Sequence, residues 1–374
     1  MSGGGDVVRE RLCLIHTSLP ARWLVICWLC IATLSAAHAD DVVPTEPLSR
    51  YWRGNLHTHT LWSDGNDFPE MVAEWYRTHD YNFLALTDHN VLSAGQRWMA
   101  RKAITSRGGS EVIPKYLARF GKSWVENRGT PDADDEEFRL KPLDEFRALV
   151  EERGKFIMLQ GEEISDSVNG APLHLNATHV HELLNPLGGA TIQAAMRADL
   201  RSAADQAQRL GREILVHLNH PNFHYAITAE DIAAVTEEQF FEIYNGHPGV
   251  NHLGDSEHAS VERMWDLANT LRLTSLQAAP LFGLATDDSH SYHDGKGSTP
   301  GRGWVMVRST HLSPEHLLRA LKRGDFYASS GVELSAIRYD SQTRQLEVEV
   351  QPQEGENYKI EFIGSRFTLA PAAT

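Results

Sequence analysis

Two histidines flank one threonine in "NLHTHTLWSDG", residues 55–65, and an aspartate follows in a Ser-Asp-Gly turn. Residues i and i+2 of a strand face the same side, so His57 and His59 point together, Thr58 turns away, and Asp64 can fold back from the loop. Imidazole and carboxylate without thiolate suit zinc, manganese or iron rather than a cysteine-built structural zinc. Six further apolar runs also carry groups able to bind a metal. They are "YNFLALTDHN" at Asp88 and His89, "KFIMLQGEE" at Glu162 and Glu163, "PLHLNATHV" at His174, "EILVHLNHP" at His217 and His220, "FFEIYNGHP" at Glu242, Asn245 and His247, and "PLFGLATDDSH" at Asp287, Asp288 and His290. One histidine after a strand is ordinarily a loop or satisfied core residue; the repetition is the signal. So many ligands exceed the need of one tetrahedral ion. They imply two or three divalent metal ions, an arrangement that activates a bridging water and clamps the attacking and leaving oxygens of a displacement.

These groups need a scaffold that brings strand ends together. Between most of the seven strand candidates lie stretches of helical period, such as "FPEMVAEWYRTHD", "PLDEFRALVEERG" and "TIQAAMRADLRSAADQAQRLG". Strands alternating with helices imply parallel pairing and right-handed crossovers, and about seven of them favour a closed barrel. In such barrels the reacting groups gather at the carboxyl ends of the strands.

At this point the chain resembles the polymerase and histidinol phosphatase (PHP) superfamily, in the form of its exported metallohydrolases. "HTHTLWSDG" resembles the first motif, "TDHN" the second, "NHP" the third and "DDSH" the fourth. The resemblance implies an α/β fold, a distorted seven-stranded (β/α)7 TIM-like barrel, with a two- or three-metal centre. It implies metal ligands at His57, His59, Asp64, His89, Glu162, His174, His220, Asp288 and His290. Asp287 stays open as an alternative to Asp288, Glu163 to Glu162, and His217 to His220, with His179 and His181 as further candidates. His79, His224, His252, His258 and His293 read as surface or loop residues.

The ligand number favours hydrolysis of a phosphoester on a small, anionic substrate. Asp288 is the expected proton acceptor, and His217 or His247 the donor to the leaving oxygen. Arg302, in "PGRGW", is the expected cation for phosphate because a guanidinium can fork onto two oxygens. An amide, carbamate or carboxylic ester hydrolase using the same site is the alternative. A cluster of arginines or lysines near the metals favours the first reading, and an apolar wall of aromatics the second.

Two segments depart from a compact barrel. Residues 93–155 form a long insertion after the second strand whose Trp98, Tyr116, Phe120 and Trp124 imply ordered packing, either as a rim over the barrel mouth or as a remote decoration. Residues 331–374 alternate apolar and polar positions and predict a small β-rich extension to a barrel domain spanning 40–330.

Residues 1–39 read as an export signal: Arg9, Arg11 and Arg22 precede the apolar run Trp23 to Leu34, and Ala37-His38-Ala39 leads to Asp40. That run has 12 residues, short of the roughly 20 a transmembrane helix needs, so no stable membrane anchor is expected. Cys13, Cys27 and Cys30 all lie within residues 1–39, and a cysteine-free mature chain suits a periplasmic or secreted protein. Removing three arginines and two acids leaves 32 basic against 48 acidic residues, which excludes polymeric nucleic acid as a natural partner.

Overall fold

A computed structural model describes residues 48–364. The expected export signal at 1–39 lies outside the described residues, as does the end of the C-terminal extension beyond 364. Among the described residues no helix is long and apolar enough to cross a membrane.

The strands are β1 (Arg50–Asn55), β2 (Phe83–Leu86), β3 (Arg97–Ala100), β4 (Asn127–Arg128), β5 (Glu137–Leu140), β6 (Ile157–Val168) and β7 (Ala171–Thr178). They continue with β8 (Leu215–Leu218), β9 (Phe240–Asn245), β10 (Phe282–Thr286), β11 (Trp304–Ser309), β12 (Phe326–Ser329), β13 (Leu334–Asp340) and β14 (Gln345–Val350). The helices are α1 (Pro69–Thr78), α2 (Arg101–Gly108), α3 (Val112–Phe120), α4 (Leu143–Val150), α5 (Ile192–Leu210), α6 (Ala229–Ala234), α7 (Val261–Leu271) and α8 (Pro314–Lys322).

Nine strands form one sheet in the order β10-β9-β8-β7-β6-β2-β1-β11-β12. Its ends curl towards each other: the rings of Phe282 on β10 and Phe326 on β12 lie 5.9 Å apart. Before β11, Gly303 comes so close that a Cβ there would stand 2.5 Å from the Thr286 carbonyl oxygen. The sheet is therefore barrel-like and nearly closed, with nine strands instead of the expected seven.

The alternation also breaks. β7 returns antiparallel from β6 through Asn169-Gly170, with φ of 53° and 84°, and β8 is antiparallel to β7. An Asn-Gly pair is the sequence signal for a turn of that kind, because both positions need positive φ. His174 consequently sits near the start of a descending strand, opposite Ser165, and not at the end of an ascending one.

One alternation organises the interior. Phe83 and Ala85, Leu159, Leu215, Phe240 and Leu284 point inward from five strands and meet Leu317, Leu318 and Leu321 of α8 in a buried floor. The same inward phase, continued up each strand, directs Glu163, His217, Glu242 and Thr286 above that floor. The outward phase of β6 carries Glu162 and Ile164 instead, and Ile164 packs with Ala177, Leu184 and Ala203.

Between β2 and β6, strands β3, β5 and β4 make a small antiparallel sheet beside α2 to α4. Its core joins Ile104, Ile113, Tyr116, Phe138 and Leu140 to Leu61, Trp62 and Phe68. Phe68 stacks on Tyr116 with centroids 3.9 Å apart, and the Trp62 Nε1–H donates to the Lys141 carbonyl at 3.2 Å. The segment thus braces the 61–68 loop that carries Asp64. β13 and β14 form a separate antiparallel hairpin.

Candidate metal centre

His57 and His59 follow β1 into the barrel mouth, fully buried. Their Nε2 atoms face one another at 3.1 Å, and each lies 3.2 Å from Asp288 Oδ1. Glu163, inward on β6, is the hub. Its carboxylate is 3.5 Å from His57 Nε2, 3.3 Å from His59 Nε2, 2.8 Å from His89 Nδ1, 3.0 Å from His174 Nδ1 and 3.4 Å from His220 Nε2. Asp64 closes the outer side: 3.5 Å from His59 Nδ1, 3.5 Å from His89 Nε2 and 3.3 Å from His290 Nε2. His290 Nδ1 in turn stands 3.5 Å from Asp288.

Eight of the nine residues expected as ligands therefore converge: His57, His59, Asp64, His89, His174, His220, Asp288 and His290. The ninth does not. Glu162 points out of the barrel, where its Oε1 accepts the Leu184 N–H at 2.6 Å, and Glu163 takes its place. Adjacent strand residues face opposite sides, so only one of the two can belong to the cluster. Asp287 and Asp288 divide likewise. Asp287 accepts hydrogen bonds from Tyr76 Oη, Asn55 Nδ2 and the backbone N–H groups of Gly301, Arg302 and Gly303, and so anchors the loop before β11. Asp288 instead faces the imidazoles, on a left-handed backbone with φ of 47°.

Of the expected proton donors, His217 is wholly buried beneath His57, 3.5 Å from Glu242, and does not reach the mouth. It corrects the expectation of a donor to substrate at that position. His247 lies at the rim, its ring 5.6 Å from that of His290. Its Nδ1 accepts the Gly249 N–H at 3.0 Å, which leaves Nε2 to carry the proton of the neutral ring. Arg302 donates to Thr299 Oγ1 at 3.0 Å and to the Gly246 carbonyl at 3.1 Å, bracing the loop that bears His247. His179 and His181 lie elsewhere: His179 Nδ1 donates to the Glu213 carbonyl at 2.9 Å, and His181 abuts Arg212 at 3.0 Å.

Two supporting residues, Asn219 and Arg107, were not singled out from sequence, and a third, Asp88, reads there as a group able to bind a metal and not as a support. Asp88 Oδ1 accepts the N–H groups of Thr60 at 2.8 Å and Ser63 at 3.0 Å, and so shapes the loop leading to Asp64. Asn219 donates to Glu163 Oε1 at 2.7 Å. Arg107 of α2 donates to the Ser63 carbonyl, next to Asp64. The Asp88 and Asn219 contacts had a signal in "TDHN" and "HLNHP", since polar residues beside candidate ligands are natural supports. Arg107 had none, because its contact joins segments 44 residues apart.

The electrostatics show how strongly the cluster couples. Burial pushes His59 down to about 3, aided by His290 and His89. Burial also works to lower His89, but Glu163 and Asp64 overcome it and push that ring up to about 11. Burial would raise the carboxyls of Glu163 and Asp288, yet His89 and His57 hold Glu163, and His57 and His59 hold Asp288, well below the usual range. Acids and imidazoles so arranged are ligand atoms in search of cations. One oxygen makes this concrete: Glu163 Oε2 is buried and meets only ring nitrogens, His89 Nδ1 at 2.8 Å and His59 Nε2 at 3.3 Å. Four groups bring ligand atoms within 4.8 Å of one another in this region: His59-Asp64-His89-His290, His57-His59-Glu163, His89-Glu163-His174 and, behind them, His57-His217-Glu242. The donor set of imidazole and carboxylate fits hard or borderline divalent ions.

No family model matches the chain, and no curated protein matches it. Among solved structures, it is similar to a two-domain protein from Bacteroides vulgatus containing a predicted PHP-like metal-dependent phosphoesterase. That similarity has 13% identity, covers 82% of this chain and 78% of the other, and has a TM-score of 0.41. PsfC from Pseudomonas syringae is similar at 12% identity over 73% of this chain and 88% of that one, with a TM-score of 0.37. Overlaps this loose assign neither fold nor activity, and the functional reading rests on the cluster itself.

Proposed function

We propose that this chain is a metal-dependent hydrolase of the PHP type, acting as a phosphoesterase on a small anionic substrate. The observation that carries the reading is the convergence of His57, His59, Asp64, His89, Glu163, His174, His220, Asp288 and His290 on shared ligand positions. Those residues would hold two or three divalent ions. Such ions lower the pKa of water towards neutrality and neutralise charge on phosphoryl oxygens.

The chain's own groups supply the remaining chemistry. Asp288 has one oxygen towards His57 and His59 and takes the proton released as water attacks. His247 presents Nε2–H at the rim and donates a hydrogen bond to the departing oxygen as that oxygen gains charge. Arg107 of α2, beside the loop of Asp64, and Arg302, beside the His247 loop, are cations held against two loops of the mouth. They favour an anionic substrate over the amide or carbamate alternative. So does the placement of Tyr116, Val112 and Phe138, which are buried within the 93–155 segment's own core and form no apolar wall at the site. The proposed protein is exported, and its barrel domain runs over 40–330 with an extension at 331–374.

The test is hydrolysis by the mature protein, metal-stripped and then reloaded with zinc or manganese, across phosphomonoesters, phosphodiesters, carboxylic esters and carbamates. Metal-dependent turnover of phosphoesters is expected. Turnover of carbamates or carboxylic esters alone would overturn the phosphoesterase reading.

A further inference from the structure

Behind the cluster, out of reach of any substrate, Glu242 of β9 is buried and saturated with donors. Its Oε1 accepts His57 Nδ1–H at 2.7 Å and the Thr286 hydroxyl at 2.6 Å. Its Oε2 accepts the Asn245 amide at 2.7 Å and the His220 backbone N–H at 2.9 Å. Asn245 then donates from the same Nδ2 to Asp288 Oδ2 at 3.1 Å, while its Oδ1 accepts the His247 N–H at 2.8 Å.

Each contact fixes an atom that matters. Donation from His57 Nδ1 to a carboxylate selects the neutral tautomer whose Nε2 lone pair faces the cluster. Donation to Asp288 Oδ2 engages that oxygen and leaves Oδ1 turned towards His57 and His59 at 3.2 Å. The His220 N–H contact pins a backbone held at φ of 21°, a sparsely populated conformation for a non-glycine residue. One carboxylate and one amide, three residues apart, therefore tie together the segment after β1, the loop after β8 and the loop after β10.

We infer that Glu242 and Asn245 are positioning residues that set the ligand atoms of His57, Asp288 and His220 before any cation binds. The inference rests on the metal-centre reading above. A preset centre binds metal more tightly than one that must reorganise, and loss of such supporting contacts ordinarily weakens metal affinity about 10–100-fold.

The experiment titrates metal-free wild type, Glu242→Gln, Glu242→Asp and Asn245→Ala with zinc against a competing chelator, and records the cobalt(II) absorption spectrum of each. Thermal unfolding of the same metal-free proteins reports any purely structural damage. The expected result is an affinity loss of about 10–100-fold in Glu242→Gln and Asn245→Ala. It comes with an altered cobalt spectrum, metal-free unfolding close to wild type, and partial recovery in Glu242→Asp. Wild-type affinity and spectrum in a folded Asn245→Ala or Glu242→Gln chain would overturn the inference while leaving the metal centre intact. A wild-type chain that binds no zinc or cobalt would overturn the metal centre, and the positioning role with it.

Discussion

Replacing Glu162 with glutamine should make the protein more stable, and increasingly so as pH rises. Glu162 is fully buried, its Oε2 has no hydrogen bond among the described residues, and Oε1 has only the Leu184 N–H. Burial pushes its carboxyl up to about 8, opposed only by that one hydrogen bond. In the unfolded chain the same group titrates near the ordinary glutamate value of about 4.3. Below that value both states are protonated and Glu162 adds no pH dependence. Between it and about 8 the unfolded chain releases a proton that the folded chain keeps, so stability falls as pH rises. Each unit of separation is worth about 1.4 kcal/mol, so the wild type loses on the order of 3 kcal/mol through this residue between pH 5 and 8. Glu162→Gln removes that loss. Urea denaturation of metal-free wild type and variant at pH 5 and pH 8 measures it, and metal-free protein avoids the pH dependence of metal binding itself. The variant's advantage should grow by about 3 kcal/mol between the two pH values, with metal content after reloading unchanged. An advantage that stays flat, or a fall in metal content, would show that Glu162 is ionised and engaged in the folded protein, and the orientation assigned to β6 would be refuted.

The site makes further predictions. Arg107→Ala should raise KM for a phosphomonoester about 10-fold or more with kcat little changed, as expected for loss of a charged hydrogen bond to substrate; steady-state kinetics decide it, and an unaltered KM removes Arg107 from substrate binding. His247→Phe should lower kcat by about 100-fold or more for alkyl phosphates, whose leaving oxygen gains the more basic charge, and far less for nitrophenyl phosphate. Equal losses on both substrates would exclude that hydrogen-bond donor role. Glu70→Gln should stabilise the metal-free protein at pH 8 relative to pH 5, because burial pushes the Glu70 carboxyl up to about 7 against hydrogen bonds from Tyr116 and Trp124. The sign matches that for Glu162: a raised folded pKa makes stability fall as pH climbs towards 7, and chemical denaturation of both chains reads the difference.

Much of the site was legible in sequence because its spacing is local. His57 and His59 fall on one side of a strand by the period of two, and His290 likewise selects Asp288 over Asp287. Glu162 and Glu163 could not be separated that way. β6 is buried on both faces around them, so "FIMLQGEEI" gives no polar phase to say which side is inward. Only its neighbours in space settle the phase, with Leu159 in the barrel floor and Ile164 in the outer layer. The antiparallel β7 was encoded in Asn169-Gly170, but the expectation of regular strand-helix alternation overrode that local turn signal. The nine-stranded count follows from β11 and β12, which join the seven expected strands by antiparallel pairing beside β1 and not through crossovers. Glu242 was visible as an acid in a strand, yet its importance comes from what meets it, a histidine from the segment after β1 and a backbone amide from the loop after β8. Those contacts span 185 and 22 residues, distances over which a single sequence carries no pairing signal.

The central claim is that the strand-end cluster is a multinuclear metal centre with Glu163 at its hub. Elemental analysis tests it most directly: wild type, Glu163→Gln and Glu162→Gln are stripped with chelator, reloaded with zinc or manganese, freed of excess metal, and counted per chain. The account predicts at least two ions per chain in wild type and Glu162→Gln, and a clear loss in Glu163→Gln. Fewer than one ion per wild-type chain, or a full complement in Glu163→Gln, would contradict it.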